Sequence, residues 1–207
     1  LAVAGLLTPW ALGLVVVSIP HGLSLPPRAA AEGMAASAGG ADAVFQPPLR
    51  RVQQSRNGRY RLEVSAVDGW RTPAVQGQLW LVATDPPQLI WNRLLPQPYG
   101  PRRMLVTPGG RVLLFDEASN VRSRHALVLL DPQGHSVLHA SFDQIQALVG
   151  LPAALLVKRA LGGSWWLAAE PHLVAKGERV RLPVGGRTLE LDLVSGQWVR
   201  PAPPPAR

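Results

Sequence analysis

No cysteine occurs among the 207 residues, so the fold rests on no disulfide, no thiolate-held metal and no thiol nucleophile, and a lipid anchor through an N-terminal cysteine is not expected. Lysine is nearly absent, present only at Lys158 and Lys176. The formal charge of +8 therefore comes almost wholly from arginine. Its planar fork pairs bidentately with carboxylate and phosphate, which suits the surface to anionic partners. Catalytic motifs are also lacking: there is no G-x-S-x-G, no phosphate-cradling glycine loop ending in Lys-Ser/Thr, and no H-E-x-x-H. Serine, histidine and aspartate are present, but their spacing assembles no triad. Nothing here supports an enzyme, and no cofactor is implied.

Charge is missing from the start of the chain. Residues 1–19, LAVAGLLTPWALGLVVVSI, hold no ionisable side chain, and only Thr8, Pro9 and Ser18 interrupt the apolar run. Such a run fits a signal-peptide core or a short membrane-spanning helix, whose lower limit is about 17 residues. Small-residue patterns at Ala29-Ala30-Ala31 and Ala36-Ser37-Ala38 suit cleavage. Because the run has no polar face, a buried helix of a soluble protein fits it poorly. Export to the periplasmic or extracellular side is expected, with this apolar helix either removed or kept as an anchor. Residues 20–49 follow as a linker rich in Pro, Ala and Gly, and residues 201–207, PAPPPAR, form a proline-rich tail.

Between linker and tail, residues 50–200 read as an all-β domain. The clearest stretch runs from Arg102 to Phe142. Two apolar strand pairs fold there over glycine turns, MLV and RVLLFD across Thr107-Pro108-Gly109-Gly110, then ALVLLD and SVLHAS across Pro132-Gln133-Gly134. That is a four-stranded antiparallel meander. Similar punctuation recurs at Asn57-Gly58, Gly77-Gln78, Asp85-Pro86-Pro87, Lys176-Gly177, Gly185-Gly186 and Ser195-Gly196. Three blade-like units of roughly 40 residues emerge. One insertion, residues 142–161, is helical: Ser141 and Gln144 make a capping box, Gly150 ends the first helix, and Pro152 starts a second that stops at Gly162-Gly163. The second helix offers only Lys158 and Arg159 to a phosphate backbone, so a hairpin capping the sheet fits better than a DNA reader, and no nucleic-acid partner is expected.

With strands gathered into blade-sized meanders, residues 57–201 resemble the secreted β-propeller repeat proteins of the quinoprotein-like or WD-like sort. The resemblance implies four-stranded blades packed around an axis. Three units fall short of the roughly four that a closed ring needs, so an open twisted sheet, a sandwich or a partial propeller are the architectures expected.

Arginines 50, 51, 59 and 61 precede or begin the first strand, and Arg102 and Arg103 open the fourth; these six are the candidates for holding an anionic partner. Asp116 and Glu117 with Asn120 are the densest group of oxygen ligands, and His172 follows Glu170 closely, giving a possible polar site. DEASN lacks the alternating acidic spacing that a calcium loop needs, and turn capping suits it better. His135 and His139 lie four apart on one strand, a span of about 13 Å that no single metal bridges. No metal site is assigned. Together these features point to a non-catalytic exported or membrane-anchored domain, an accessory or structural subunit that binds a protein partner. The alternative is a secreted propeller-like protein that binds a ligand or acts on an unknown substrate.

Overall fold

The computed structural model describes residues 47–119 and 122–199. Within them the chain forms twelve strands and two α-helices, and the strands make three four-stranded antiparallel sheets, each a meander in sequence order. The apolar run, most of the linker, Asn120 and the tail lie outside the described residues. Among the described residues no helix is long and apolar enough to cross a membrane.

The middle sheet explains the other two. It comprises β5 (Pro101–Val106), β6 (Val112–Glu117), β7 (Leu127–Leu130) and β8 (Ser136–Ala140). Strands β6 and β7 are apolar at successive positions, VLLF and LVLL, and a run without alternation suits a strand buried on both faces. The register bears this out. Val112 pairs with Leu130 and Leu114 with Val128, and these four pack against Leu62, Val64, Val75, Leu79 and Trp91 of the first sheet. Leu113 pairs with Leu129 and Phe115 with Leu127, and these face Val180, Leu182, Val184 and Leu191 of the third.

The first sheet contains β1 (Arg50–Gln54), β2 (Tyr60–Ala66), β3 (Val75–Leu81) and β4 (Gln88–Leu94). Its strands alternate. Leu62, Val64 and Leu79 point inward, while Arg61, Glu63, Gln76 and Gln78 occupy the other face. Both glycine turns of the middle sheet are seated on aromatic rings of the first. A Cβ at Gly110 would stand 2.9 Å from the Tyr60 ring and one at Gly134 3.0 Å from the Trp91 ring, and both residues have φ above +80°. Only glycine meets the two conditions together.

In the third sheet, β9 (His172–Val174), β10 (Arg179–Val184), β11 (Arg187–Asp192) and β12 (Trp198–Val199) repeat the alternation. Its outer face carries Arg179 and Arg181 around Glu190, with Nη1 of Arg179 3.3 Å and Nε of Arg181 3.1 Å from the carboxylate. Helix α1 (Phe142–Val149) has the expected capping box: Ser141 Oγ accepts from the Gln144 amide, and Gln144 Oε1 accepts from the Ser141 amide at 2.8 Å. Gly150 closes it at φ 65°. Helix α2 (Ala153–Arg159) follows Pro152. Phe142, Ile145, Val149 and Leu156 enter the core between the middle and third sheets, so the helical hairpin serves packing.

The carbonyl of Pro47 accepts a hydrogen bond from the Trp70 indole at 2.8 Å, which ties down the start of the described chain. In the sequence the proline-rich linker separates the apolar run from the β domain. Deleting residues 1–45 is therefore expected to leave the cooperative thermal unfolding of the β domain unchanged, with detergent matched between samples. A lower midpoint in calorimetry would assign the apolar run to the core.

Candidate anion-binding cleft

The six candidate arginines separate into two groups once the strands are assembled. Arg50 and Arg61 lie on the outer face of the first sheet and share Glu63, at 2.6 Å and 2.9 Å. Arg59 is exposed just ahead of β2. Arg51, Arg102 and Arg103 instead converge, because β1 lies beside β5. With Pro47, Pro48, Ala118, Gly162 and Gly163 they line a cleft of about 340 Å³.

Each guanidinium in the cleft is held by backbone carbonyls. Arg51 donates to the carbonyls of Pro101 and Arg102, the second at 2.8 Å. Arg102 donates from Nε to Glu117 O at 2.9 Å and from Nη2 to Ser119 O at 2.7 Å. Arg103 donates to Gly162 O at 3.0 Å and to Oε1 of Glu170 at 2.5 Å, while its buried Nε has no partner. Carbonyls orient a guanidinium and satisfy its N–H groups, but they bring no formal negative charge. The carboxylate of Glu170, 62% exposed, is the ion-pair partner Arg103 has at the rim. Burial, and then the neighbouring Arg103, hold the Arg51 pKa below the usual arginine range. The fold thus keeps like charges together in fixed orientations, and an anion in the cleft would relieve their repulsion.

Asp116 supports one wall of this cleft. It lies at the end of β6 with φ 49°, is 1% exposed, and accepts from Ser164 Oγ at 2.7 Å and the Trp165 amide at 3.1 Å. The Ser164 hydroxyl also accepts from the amides of Trp166 and Leu167. This network fixes the turn that carries Gly162 and Gly163. Burial outweighs those hydrogen bonds and raises the Asp116 pKa above the usual carboxylate value. Burial raises Glu117 as well, and its carboxylate accepts from the Tyr99 amide at 3.4 Å. His172 opens β9 and borders a separate groove with Arg56, Met104 and Glu170, a groove that neither Asp116 nor Glu117 lines.

The raised Asp116 pKa has a pH consequence. At low pH the carboxyl is protonated folded and unfolded; as pH rises from the unfolded-state value through the raised folded value, the folded state is penalised for ionising. Asp116→Asn removes this penalty and keeps a side chain that tolerates positive φ. Relative to wild type, the variant is expected to gain stability as pH rises above the unfolded carboxylate value of about 4, read by urea unfolding from acidic to neutral pH. Parallel curves would show that Asp116 ionises without cost.

Among the described residues no group of three or more His, Asp or Glu side chains is placed to hold a metal ion. The residues that line the cleft include no histidine and no carboxylate, and its charged groups are the three guanidiniums. Compared with known proteins, the chain matches no family model and no curated protein.

Proposed function

We propose that this chain is a non-catalytic accessory or structural subunit of a membrane-associated complex, exported and either anchored or released, which holds an anionic segment of a protein partner in the cleft of Arg51, Arg102 and Arg103. The observation that carries the reading is the convergence of three carbonyl-oriented guanidiniums in one concavity, with the exposed carboxylate of Glu170 paired to Arg103 at its rim. Preorganised forks of this kind suit bidentate recognition of carboxylates. Two further features support it. Residues 1–19 are apolar enough to seat in lipid, and the linker that follows them arrives at the cleft, since Pro47 and Pro48 form part of its wall. A tether of that kind raises the local concentration of the domain near membrane partners, so individually weak contacts suffice.

In its finer architecture we read the domain as three propeller-like blades in an open stack. The first strands of the first two sheets, β1 and β5, are neighbours, as in consecutive blades. The outer faces of the first and third sheets carry Gln76, Gln78, Arg179, Arg181 and Glu190, polar surfaces on which a further blade finds little to bury. Fractionation of native membranes in mild detergent tests the functional reading: the protein should comigrate with a larger complex and leave it when salt is raised. A free monomer in the soluble fraction, without a partner at low salt, would overturn it. That outcome would favour a secreted ligand-binding protein, a reading to which the cleft volume of about 340 Å³ lends some support, being of small-molecule size.

A further inference from the structure

His139 is four residues from His135 on β8, but its partner in the fold is elsewhere. Nδ1 of His125 lies 2.7 Å from Nε2 of His139, with the rings 17° from parallel and their centres 4.7 Å apart. The ring centres are farther apart than the nitrogens by nearly the sum of two ring radii, so the two nitrogens lie between the rings and the imidazoles meet by their edges. One nitrogen donates and the other accepts, so a single proton occupies the space where both lone pairs converge.

Each imidazole is held from its backbone. His139 sits opposite Val128 in the register of β7 and β8. His125 donates its amide to Ser123 Oγ at 2.8 Å and accepts from Gln97 Nε2 at 3.4 Å through its carbonyl. His139 also borders two open grooves, one with Gln144 and Trp198 and the other with Arg93 and Ser136, which gives water access to the pair. Burial, then His139 and Arg124, hold the His125 pKa below the ordinary histidine value.

A cation that takes imidazole nitrogens at about 2.0–2.1 Å, on two adjacent coordination positions, sets those nitrogens roughly 3 Å apart. The pair is within a few tenths of an ångström of that bite. We propose that His125 and His139 form a two-imidazole site for an exchangeable divalent cation of the Cu²⁺, Ni²⁺ or Zn²⁺ class, which takes the place of the shared proton. The ring that donated moves its proton through water to its outer nitrogen, so two neutral imidazoles coordinate and no proton is lost overall. Water completes the shell, because only two protein ligands are present. A shell of that kind makes the site exchangeable, unlike the closed four-ligand sites that build folds.

The test is calorimetric titration of the full chain at neutral pH with CuCl₂ and, separately, ZnCl₂. One site is expected, with His125→Gln and His139→Gln each weakening it at least tenfold. His135→Gln, at a residue whose ring pairs with Asp131, should leave it unchanged. Unaltered affinity in the first two variants, loss in His135→Gln, or no binding by the wild-type chain would overturn the proposal. Should either variant fail to fold, wild-type protein decides alone: substoichiometric Cu²⁺ should broaden the ring resonances of His125 and His139 before those of His135 and His172, and uniform broadening would contradict the site.

Discussion

Leu113→Ala and Leu114→Ala are each expected to destabilise the domain by about 2–5 kcal/mol, the range for truncating a buried leucine. The two are neighbours on β6, and in a sheet with one wet face one of them would be exposed and cheap to replace. Here both have 0% exposure: Leu113 packs in the core shared with the third sheet and helices, and Leu114 in the core shared with the first sheet. Because they sit in separate clusters, the double variant should lose close to the sum of the single losses, apart from strand strain. Urea unfolding of the three variants measures this. A small loss, below about 1 kcal/mol, at either position would contradict the placement of the middle sheet between the other two.

The second large effect concerns binding. Replacing both Arg51 and Arg103 with alanine is expected to weaken binding of an oligoglutamate peptide by about two orders of magnitude, since hydrogen bonds to charged groups contribute about 1.5–3 kcal/mol each. Arg50→Ala with Arg59→Ala removes the same formal charge from positions that do not line the cleft, and should weaken binding only a few-fold. Equal losses from the two pairs would mean that net charge, and not the cleft, attracts the anion. Arg51 also ties β1 to the carbonyls of Pro101 and Arg102, so the comparison belongs at a temperature well below unfolding.

The parts of the fold that the sequence discloses are those governed by local rules. The middle sheet is legible because apolar strands flank turns containing Gly110 and Gly134, and the helices because Ser141, Gln144 and Gly150 carry capping chemistry. Strand β1 is harder to read. RRVQQ has one apolar residue, and its pairing with β2, Arg51 opposite Val64 and Gln53 opposite Leu62, follows from the neighbouring strand. Three-residue β9 is similarly short, with His172 placed opposite Arg181 by β10.

Long-range placement decides the sites, and spacing does not report it. Composition and charge mark the arginines as candidates, but Arg51 meets Arg102 and Arg103 across about fifty residues only because β1 lies beside β5. The acidic Asp116 is conspicuous in sequence; that it braces the glycine wall through Ser164 depends on a loop forty-eight residues away. His125 belongs to the loop before β7 and meets His139 only when β7 and β8 pair. A shared strand directs attention to His135 and His139 instead.

The central claim is that the cleft contacts an acidic partner, and site-specific crosslinking tests it most directly. A photoreactive residue would replace Gly162, where an added Cβ meets no atom within 4 Å, and the full chain would be irradiated in native membranes. The account predicts one prominent protein adduct, mapped to a segment rich in Asp or Glu and lost when Arg51 and Arg103 are alanine. Adducts unaffected by that double substitution, or absence of any protein adduct from Gly162 while a probe at Gln78 on the outer sheet face captures one, would contradict it.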